Sequence, residues 1–303
     1  MSRLVVIGSV IGDQMMTVPH LPERGGDVLA GPVAAQPGGA YNIVAAAIRM
    51  GLETAVAGRI GTGPIGSLLT DALAGLGVPV LIPRSGEGDS GTSIGFIEPD
   101  GERTFVTSPG VEQEITDADL AGIAWRPDDL VYLSGYDLLY PETGPAVARW
   151  LDGFTPAGLL LDPGPLIAEV PAPVLDRVLG SATVFSMNER EAAILGQPPA
   201  GPLTLWDRLP RPEAVVLVRV GADGAWLHRR DRDPLLIESP PVDVVDSTGA
   251  GDAHAGALLA FLAEGLEVDQ AVLLANVAAG MAVTVQGSAT GPTRSELFAA
   301  LEG

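Results

Sequence analysis

The stretch Val-Asp-Val-Val-Asp-Ser-Thr-Gly-Ala-Gly-Asp at residues 242–252 decides the fold of this chain. A strand-like run leads into a Gly-Ala-Gly turn, and the turn opens a helical run over 252–264. In such a unit successive backbone N–H groups converge on one point, and the helix dipole adds positive potential there. The segment therefore predicts a strand, a turn and a helix, with an anion site at residues 249–251.

Asp252 stands in the first turn of that predicted helix. One interpretation is an ordinary acid that interacts favourably with the helix dipole. The other interpretation is chemical, because a carboxylate beside an anion site places a proton acceptor next to donors for phosphoryl oxygens. The combination of turn and acid favours phosphoryl transfer.

Short β-rich runs alternate with longer helical runs along most of the chain. The predicted strands lie near 3–8, 54–60, 78–83, 130–134, 158–162, 183–186 and 214–220. The predicted helices lie near 40–50, 65–76, 141–152, 171–180, 188–196, 252–264 and 269–285. This alternation predicts an α/β fold with a mostly parallel sheet covered on both faces.

Two segments break the alternation. Residues 10–36 have no helical period and contain several Pro and Gly residues. Residues 92–108 have the pattern of a hairpin around Pro99-Asp100-Gly101. We expect both segments to form a small β appendage on a single domain that spans residues 1–303.

Composition excludes several classes of function. The chain has 303 residues, of which 47% are hydrophobic, and 38 acidic residues against 17 basic ones give a net charge of -21. That charge repels nucleic acid. The chain has no Cys and no Lys, so every basic residue is Arg. Thiol nucleophiles, Schiff-base lysines and the P-loop lysine are therefore absent.

The apolar runs do not indicate a membrane protein. Residues 4–11 are apolar, but Asp13 follows at once, which is typical of a buried first strand. Residues 271–285 are uncharged but contain Asn276 and are shorter than the roughly 20 apolar residues that span a bilayer. We expect a cytoplasmic protein with no membrane partner.

Two further motifs offer competing functions. Gly-Thr-Gly-Pro-Ile-Gly at 61–66 fits the dinucleotide fingerprint, so an NADP-dependent oxidoreductase is one alternative. However, the next predicted strand ends at Arg84 and not at a ribose-binding acid. Gly-Thr-Ser-Ile-Gly at 91–95 fits the nucleophile elbow of hydrolases, but it runs on into the hairpin and not into a helix.

The chain resembles the ribokinase-like, phosphofructokinase-B type carbohydrate kinases. The resemblance rests first on residues 242–252 and extends over almost the whole chain. Gly-Asp-Ala-His-Ala-Gly at 251–256 and Glu-Pro-Asp-Gly-Glu-Arg-Thr-Phe at 98–105 are closest to a subgroup of sugar kinases without a settled substrate. The resemblance implies a three-layer α/β/α fold in which the β appendage is a lid.

The same resemblance implies transfer of the γ-phosphoryl group of ATP to a hydroxymethyl group of a sugar or sugar-like alcohol. Asp252 would be the general base, and Gly249, Ala250 and Gly251 would form the anion hole. The implied sugar-binding residues are Asp13, Gly38, Gly39 and Asn42. The implied nucleotide-binding residues are Asn188, Glu191, Gly221, Gly224 and Asn276. Glu191 would act indirectly on magnesium, and Asp246 and Thr248 would bind potassium.

Several points stay open at this stage. A nucleoside kinase of the same family and a non-catalytic sugar-sensing protein remain alternatives. Ala40-Tyr41 and Arg219 depart from residues that are common in ribokinases. His254 either faces the pocket or packs elsewhere. The apolar residues of the hairpin predict contact with the sugar, with the other β segment or with a second subunit, so we also expect a homodimer through the lid.

Overall fold

The computed structural model describes residues 2–84 and 87–302. Its strands are β1 Leu4–Ile7, β2 Val10–Thr17, β3 Ala34–Gly39, β4 Thr54–Val56, β5 Thr92–Ile97, β6 Arg103–Ser108, β7 Leu130–Ser134, β8 Gly158–Asp162, β9 Val184–Asn188, β10 Val215–Arg219, β11 Ala225–Arg229 and β12 Leu235–Ile237. Its helices are α1 Tyr41–Arg49, α2 Pro64–Gly75, α3 Asp117–Ala121, α4 Gly135–Leu139, α5 Thr143–Gly153, α6 Ala172–Leu179, α7 Glu189–Ile194, α8 Ala250–Ala263, α9 Val268–Ala282 and α10 Arg294–Glu302.

The larger sheet has eight strands in the order β12-β11-β10-β9-β8-β7-β1-β4. The six strands from β10 to β4 run parallel to each other. At one edge of the sheet, β11 runs antiparallel to β10, and β12 runs antiparallel to β11. The predicted mostly parallel sheet is therefore confirmed. Because parallel strands end at one edge, the residues that follow them are brought together there.

Helices cover both faces of this sheet. Leu4 and Val6 of β1 belong to a core shared with α1, α8 and α9, whereas Val5 and Ile7 belong to a second core shared with α5 and α6. Successive strand residues point to opposite faces, so the apolar run of a central strand contributes to two cores. The three-layer α/β/α architecture is confirmed.

The smaller sheet has four strands in the order β3-β2-β5-β6. Both segments that break the alternation contribute to it, and the hairpin predicted at 92–108 is confirmed as β5 and β6. Asp13 pairs with Ser93, and Ser93 pairs with Thr107. Side chains at paired positions share a face, so these three residues lie on one side of the lid sheet.

The strand predicted at 78–83 is wrong. The only pairing there is an isolated bridge between Val80 and Val56. Pro79 and Pro83 flank this stretch, and a proline has no N–H to donate to a ladder. The strand predicted at 54–60 is likewise limited to β4. The strand expected to lead into the turn at 249–251 is also wrong, because residues 238–249 form no strand. Across the described ranges, no helix combines the length and the apolar character needed to cross a membrane.

Candidate active site

Two cavities meet at the carboxyl edge of the parallel strands. Ser134 pairs with Asp162, and Asn188 pairs with Arg219, so the last residues of β7 and β8 lie side by side, as do those of β9 and β10. The first cavity has a volume of about 330 Å³ and the second about 610 Å³. We call them the acceptor cavity and the nucleotide cavity, after the binding residues that the resemblance implies for each. Arg219 lines both of them.

The acceptor cavity lies between the main sheet and the lid. The lid contributes Ile11, Asp13, Gly39, Ser93, Phe105 and Thr107. The main domain contributes Tyr132, Ser134, Tyr136, Asp137, Tyr140, Asp162, Glu191, Arg219 and Asp252, among others. The lid face that carries Asp13, Ser93 and Thr107 is thus the face that closes this cavity.

Asp13 depends on the glycines opposite it. A side chain on Gly38 would collide with the Asp13 carboxylate, so only glycine leaves room for that acid. Gly39 has a φ of +59° and its backbone lies against the Ser9 carbonyl, which also favours glycine. Burial, and next the charge of Asp252, raise the pKa of Asp13 to about 6. The structure therefore brings Asp13, Gly38 and Gly39 together, and Asp13 and Gly39 line the cavity.

Asp252 lies at the start of α8 and faces the acceptor cavity. The Nδ2 of Asn42, in the first turn of α1, donates a hydrogen bond of 3.1 Å to Asp252 Oδ2. Burial raises the pKa of Asp252 to about 6, although the Asn42 hydrogen bond and the Arg219 charge lower it. A carboxylate with this pKa is ionised at neutral pH and still basic enough to accept a proton.

The Gly-Ala-Gly turn separates the two cavities. Gly249 precedes α8 with a φ of +74°, a left-handed conformation that favours glycine. Ala250 and Gly251 line the nucleotide cavity, whereas the next residue, Asp252, lines the acceptor cavity. The first N–H groups of a helix have no partner within the helix. An anion at this turn would therefore lie at the boundary between the cavities.

The nucleotide cavity contains most of the residues expected there. Asn188, Gly221, Gly224 and Asn276 all line it. The Nδ2 of Asn276 donates to the Ile237 carbonyl at 2.7 Å, which fixes the orientation of its amide. Gly221 and Gly224 have φ values of +61° and +105° and form a tight turn after β10.

His254 faces the nucleotide cavity, which answers a question that the sequence left open. It is 2% exposed, and neither ring nitrogen makes a well-formed hydrogen bond with any of the described residues. Burial, with the nearby Arg219 charge, lowers the pKa of His254 to about 3. The imidazole is therefore neutral at physiological pH.

Asn188 and Glu191 form a reciprocal cap at the start of α7. Asn188 N–H donates to Glu191 Oε2 at 2.7 Å, and Glu191 N–H donates to Asn188 Oδ1 at 2.9 Å. Glu191 lines the acceptor cavity and not the nucleotide cavity. Burial, with the adjacent Asp162 carboxylate, raises the pKa of Glu191 to about 7. The two residues thus straddle the junction of the cavities.

The residues expected to bind potassium have other partners. Asp246 Oδ1 accepts hydrogen bonds from the Thr248 N–H at 2.8 Å and from the guanidinium of Arg103, which comes from the lid. Asp246 Oδ2 accepts from the Gly287 N–H at 2.9 Å. A guanidinium therefore pairs with this carboxylate in the structure, and potassium binding by Asp246 and Thr248 stays a prediction.

Several residues of the acceptor cavity were not predicted from the sequence. They are Asp137, Asp162, Arg219 and the three tyrosines Tyr132, Tyr136 and Tyr140. Asp162 ends the strand predicted at 158–162 and Arg219 is the next-to-last residue of the strand predicted at 214–220, and ligands bind at the carboxyl ends of parallel strands. That rule was the available signal for these two. Asp137 had no comparable signal, because it lies in the short helix α4.

The competing motifs do not form the sites they suggest. The Asp89 carboxylate accepts hydrogen bonds from the N–H groups of Ile65 at 2.9 Å and Gly66 at 2.7 Å. It thus occupies the helix N-terminus where a dinucleotide fold would bind pyrophosphate. Ser93 lies in β5 of the lid, with its hydroxyl 2.9 Å from that of Thr107, and not at a turn from a strand into a helix.

Comparison with known proteins agrees with this geometry. Residues 1–294 match the pfkB family of carbohydrate kinases. An uncharacterized sugar kinase of Escherichia coli, YegV, is 35% identical over 304 residues, which cover 98% of this chain and 93% of the relative.

Two solved structures are similar in fold. Arabidopsis thaliana ribokinase, complexed with ribose and ATP, superposes with a TM-score of 0.74 at 23% identity and covers 100% of both chains. A nucleoside kinase of Burkholderia thailandensis, in complex with inosine, has a TM-score of 0.76 at 22% identity over 99% of this chain and 98% of the other.

The fold, the paired cavities and the family match together define a ribokinase-like kinase. The chain belongs to the pfkB carbohydrate kinases, as the resemblance in its sequence indicated.

Proposed function

We propose that this kinase transfers the γ-phosphoryl group of ATP to a hydroxymethyl group of an uncharged sugar or sugar-like alcohol. The observation that carries the proposal is the position of Asp252, which faces the acceptor cavity directly after a turn that lines the nucleotide cavity. A base and an anion site thus meet at one junction. We also propose a cytoplasmic location, where ATP is available.

In the proposed reaction, Asp252 accepts the proton of the acceptor hydroxyl as its oxygen attacks the γ-phosphorus in line. Asn42 holds the carboxylate through its hydrogen bond at 3.1 Å. The N–H groups of the turn at 249–251 would donate to the charge that develops on the phosphoryl oxygens. The Ala250 N–H, which donates to the Ser247 carbonyl at 3.3 Å, would exchange that bond for the phosphoryl oxygen. Asp13, on the lid, is placed to accept a hydrogen bond from another hydroxyl of the acceptor.

Magnesium is part of the proposal through the phosphates of ATP. Among the described residues there is no cluster of three or more His, Cys, Asp or Glu side chains that could hold a metal ion. This fits magnesium, which binds through substrate phosphates and keeps several waters. Glu191 would hold it indirectly, and when bound it would neutralise charge on the phosphates. Potassium binding at Asp246 and Thr248 stays a prediction, and it would require the Arg103 guanidinium to share or leave the Asp246 carboxylate.

The charge of the acceptor cavity argues for an uncharged substrate. Its acidic lining residues are Asp13, Asp137, Asp162, Glu191 and Asp252. Against these five, the described lining residues include one arginine, Arg219, which Asp162 already pairs at 3.1 Å. Burial raises the pKa of Asp137 and of Glu191 to about 7, so these two are only partly ionised at neutral pH. A sugar acid or a sugar phosphate would still meet the charge of the other carboxylates with little solvent to screen it. A neutral polyol instead brings hydroxyl donors for these carboxylates.

Asp137 has a carboxylate oxygen to which such a substrate could donate a hydrogen bond. This residue is fully buried, and its Oδ1 accepts a hydrogen bond of 2.6 Å from the Ser9 hydroxyl. Its Oδ2 has no hydrogen-bond partner in the part of the chain that the structure describes. Buried polar atoms are normally hydrogen-bonded. A hydroxyl group of the acceptor is the kind of donor that Asp137 Oδ2 lacks.

A nucleoside is the second candidate acceptor. Tyr132, Tyr136, Tyr140 and Phe105 line the acceptor cavity, and such rings can stack on a base. The similar fold of a nucleoside kinase that binds inosine is consistent with this alternative. Nucleosides are also uncharged, so the charge argument does not separate them from sugars.

ADP release over a panel of acceptors tests the proposal. The panel contains neutral pentoses and hexoses, the matching aldonic acids and terminal phosphates, and the nucleosides inosine and uridine. We expect phosphorylation of a neutral member of the panel. Its kcat/KM should be at least about tenfold above that of its anionic analogues, which corresponds to a difference of about 1.4 kcal/mol in the barrier. No ADP release above hydrolysis with any acceptor would refute the kinase proposal. Equal rates with acids would refute the charge argument alone.

A further inference from the structure

Arg219 is the one arginine that lines the acceptor or the nucleotide cavity within the described residues. It ends β10, and its backbone pairs with Asn188 at the end of β9. The sequence contains no lysine, and burial and the Arg219 charge keep His254 neutral. Arg219 is therefore the only fixed side-chain cation at the junction of these cavities.

Two carboxylates hold this guanidinium in place. Both Nη1 and Nη2 donate to Asp162 Oδ2 at 3.1 Å, and Nη2 lies 3.7 Å from Glu191 Oε2. The side chain is 13% exposed. A guanidinium has five N–H groups in a rigid plane and does not lose its proton in proteins. The two hydrogen bonds to Asp162 use two of those five donors and fix the plane.

The guanidinium also lies against the anion turn. A Cβ atom added to Gly251 would come within 3.2 Å of Arg219 Nη1. The glycine thus allows the guanidinium to approach the turn closely. Arg219 also lowers the pKa of Asp252, although burial has the larger and opposite effect. The guanidinium, the turn and the base are therefore close enough to act on one phosphoryl group.

The carboxylates at this junction would repel a phosphoryl group, so a cation beside them would stabilise it. A phosphoryl group crossing from the nucleotide cavity would approach Asp252, Asp162 and Glu191, which all line the acceptor cavity. Like charges at short range in a partly buried site repel strongly. Backbone N–H groups carry only partial charges, whereas a guanidinium carries a full charge and matches phosphate geometry.

We propose that Arg219 is a catalytic residue whose guanidinium contacts the γ-phosphoryl oxygens during transfer, while Asp162 and Glu191 position it. The proposal rests on the proposed kinase function. In the step, the acceptor oxygen bonds to the γ-phosphorus as the bond to the bridging oxygen of ADP breaks. The hydroxyl proton goes to Asp252. Arg219 stabilises the oxygens and exchanges no proton.

The first test is the variant Arg219→Gln, measured with ATP and the best acceptor of the panel. Removing one charged or hydrogen-bonding group from a transferring group typically lowers kcat about 100- to 1000-fold. We expect a loss of that size, with the acceptor KM changed less than about threefold. Guanidinium ion added to Arg219→Ala should restore part of the lost rate.

Arg59→Gln is the matched control. Arg59 forms a half-buried ion pair with Asp119 at 2.8 Å and lines neither cavity. We expect this variant to keep its kcat. If Arg219→Gln does not fold, the double variant Arg219→Gln with Asp162→Asn restores the charge balance and is measured instead. A folded variant with normal kcat, or with a changed acceptor KM alone, would overturn the proposal.

A binding measurement separates this proposal from the kinase proposal. ADP with fluoroaluminate mimics the transferring phosphoryl group, so it should raise the melting temperature of the parent more than ADP alone does. Arg219→Gln should lose that extra stabilisation and keep the stabilisation by ADP. An extra shift that persists in the variant would overturn the role of Arg219, whichever acceptor is found. Absence of transfer by the parent would count against the kinase proposal.

Discussion

Asp252 illustrates how one residue can have a structural and a chemical interpretation. It stands in the first turn of α8, where any acid interacts favourably with the helix dipole. The structure adds that it faces the acceptor cavity, accepts a hydrogen bond from Asn42 and has its pKa raised to about 6, chiefly by burial. An acid that only stabilised a helix start would need none of these features.

The variant Asp252→Asn should therefore separate the two interpretations. It keeps a polar side chain at the helix start, so we expect little change in the free energy of unfolding. It removes the proton acceptor, so single-turnover phosphorylation should fall about 100- to 10,000-fold while ATP still binds. Asp243→Asn, at an exposed acid of the same segment, is the control and should keep full activity. Near-normal turnover in Asp252→Asn would refute the role of base.

The pH dependence gives a second prediction for the same residue. The base must be ionised to act, and the pKa of Asp252 is raised to about 6. As pH falls through 6, Asp252 takes up a proton and kcat/KM should fall about tenfold per unit. Asp13 also titrates near 6, so the fall becomes steeper where both carboxylates must be ionised. We expect the acid limb of the profile of kcat/KM near pH 6. A limb near 4, the ordinary range of an aspartate, would contradict the assignment.

For single residues, the sequence predicts contacts between neighbours in the chain better than contacts between distant segments. Asp252 and the turn at 249–251 lie within a few residues, so the turn and helix α8 already define their geometry, although the strand expected before them does not form. Arg219 and Asp162 are 57 positions apart in the sequence and meet only because their strands belong to one parallel sheet. Their contact depends on strand order and register, which the sequence alone does not specify.

The cap of α7 makes a prediction at the scale of an element. Asn188 and Glu191 satisfy each other's N–H groups at the helix start, and the same carboxylate faces the junction of the cavities. Glu191→Gln keeps an acceptor for the Asn188 N–H, so stability should change by less than about 1 kcal/mol. It removes the charge that would hold magnesium indirectly. We expect turnover to fall about tenfold and the magnesium concentration for half-maximal rate to rise severalfold.

Titration of activity with magnesium checks this expectation. Glu189→Gln, at an exposed acid of the same helical turn, is the control and should match the parent. An unchanged magnesium requirement in Glu191→Gln would limit Glu191 to its capping role. Glu191→Ala, which also loses the cap, should in addition be less stable by about 1 kcal/mol.

Helices and central strands with a long hydrophobic pattern were predicted well, whereas short strands at the edges of the main sheet were predicted less well. The predicted helix over 252–264 is present but begins at Ala250, because Gly249 adopts a left-handed φ that ends the preceding turn. The strand expected at 78–83 is absent, because prolines at both ends interrupt its ladder. Strands β11 and β12 were not predicted, since β11 mixes apolar and polar residues and β12 has only three residues.

The whole molecule consists of a main sheet that orders two cavities and a lid sheet that covers one of them. The alternation of strands and helices sufficed to predict the main sheet, because every central strand needs helices on both faces. The lid was predicted from the absence of that alternation. What could not be predicted is which lid face closes the cavity, since a shift of one residue in register exchanges the faces.

The register of the lid leads to the last prediction. Asp13, Ser93, Phe105 and Thr107 line the acceptor cavity. Ile94 pairs with Val106 and alternates with the cavity-lining residues, so the opposite face of the lid carries these apolar side chains. Val106 is 59% exposed. An apolar sheet face that its own chain leaves open is typical of a protein interface, so we expect a homodimer through this face.

Sedimentation at micromolar concentration tests the dimer. The parent should sediment as a dimer, and Val106→Asp should sediment as a monomer, because it places a charge in the apolar contact while leaving the cavity-lining residues unchanged. Leu235→Asp makes the same change at a 43% exposed residue of β12, at the edge of the main sheet, and should leave the dimer intact. A parent that is monomeric would refute the dimer. A Val106→Asp variant that still dimerises would show that the subunits associate through a different surface.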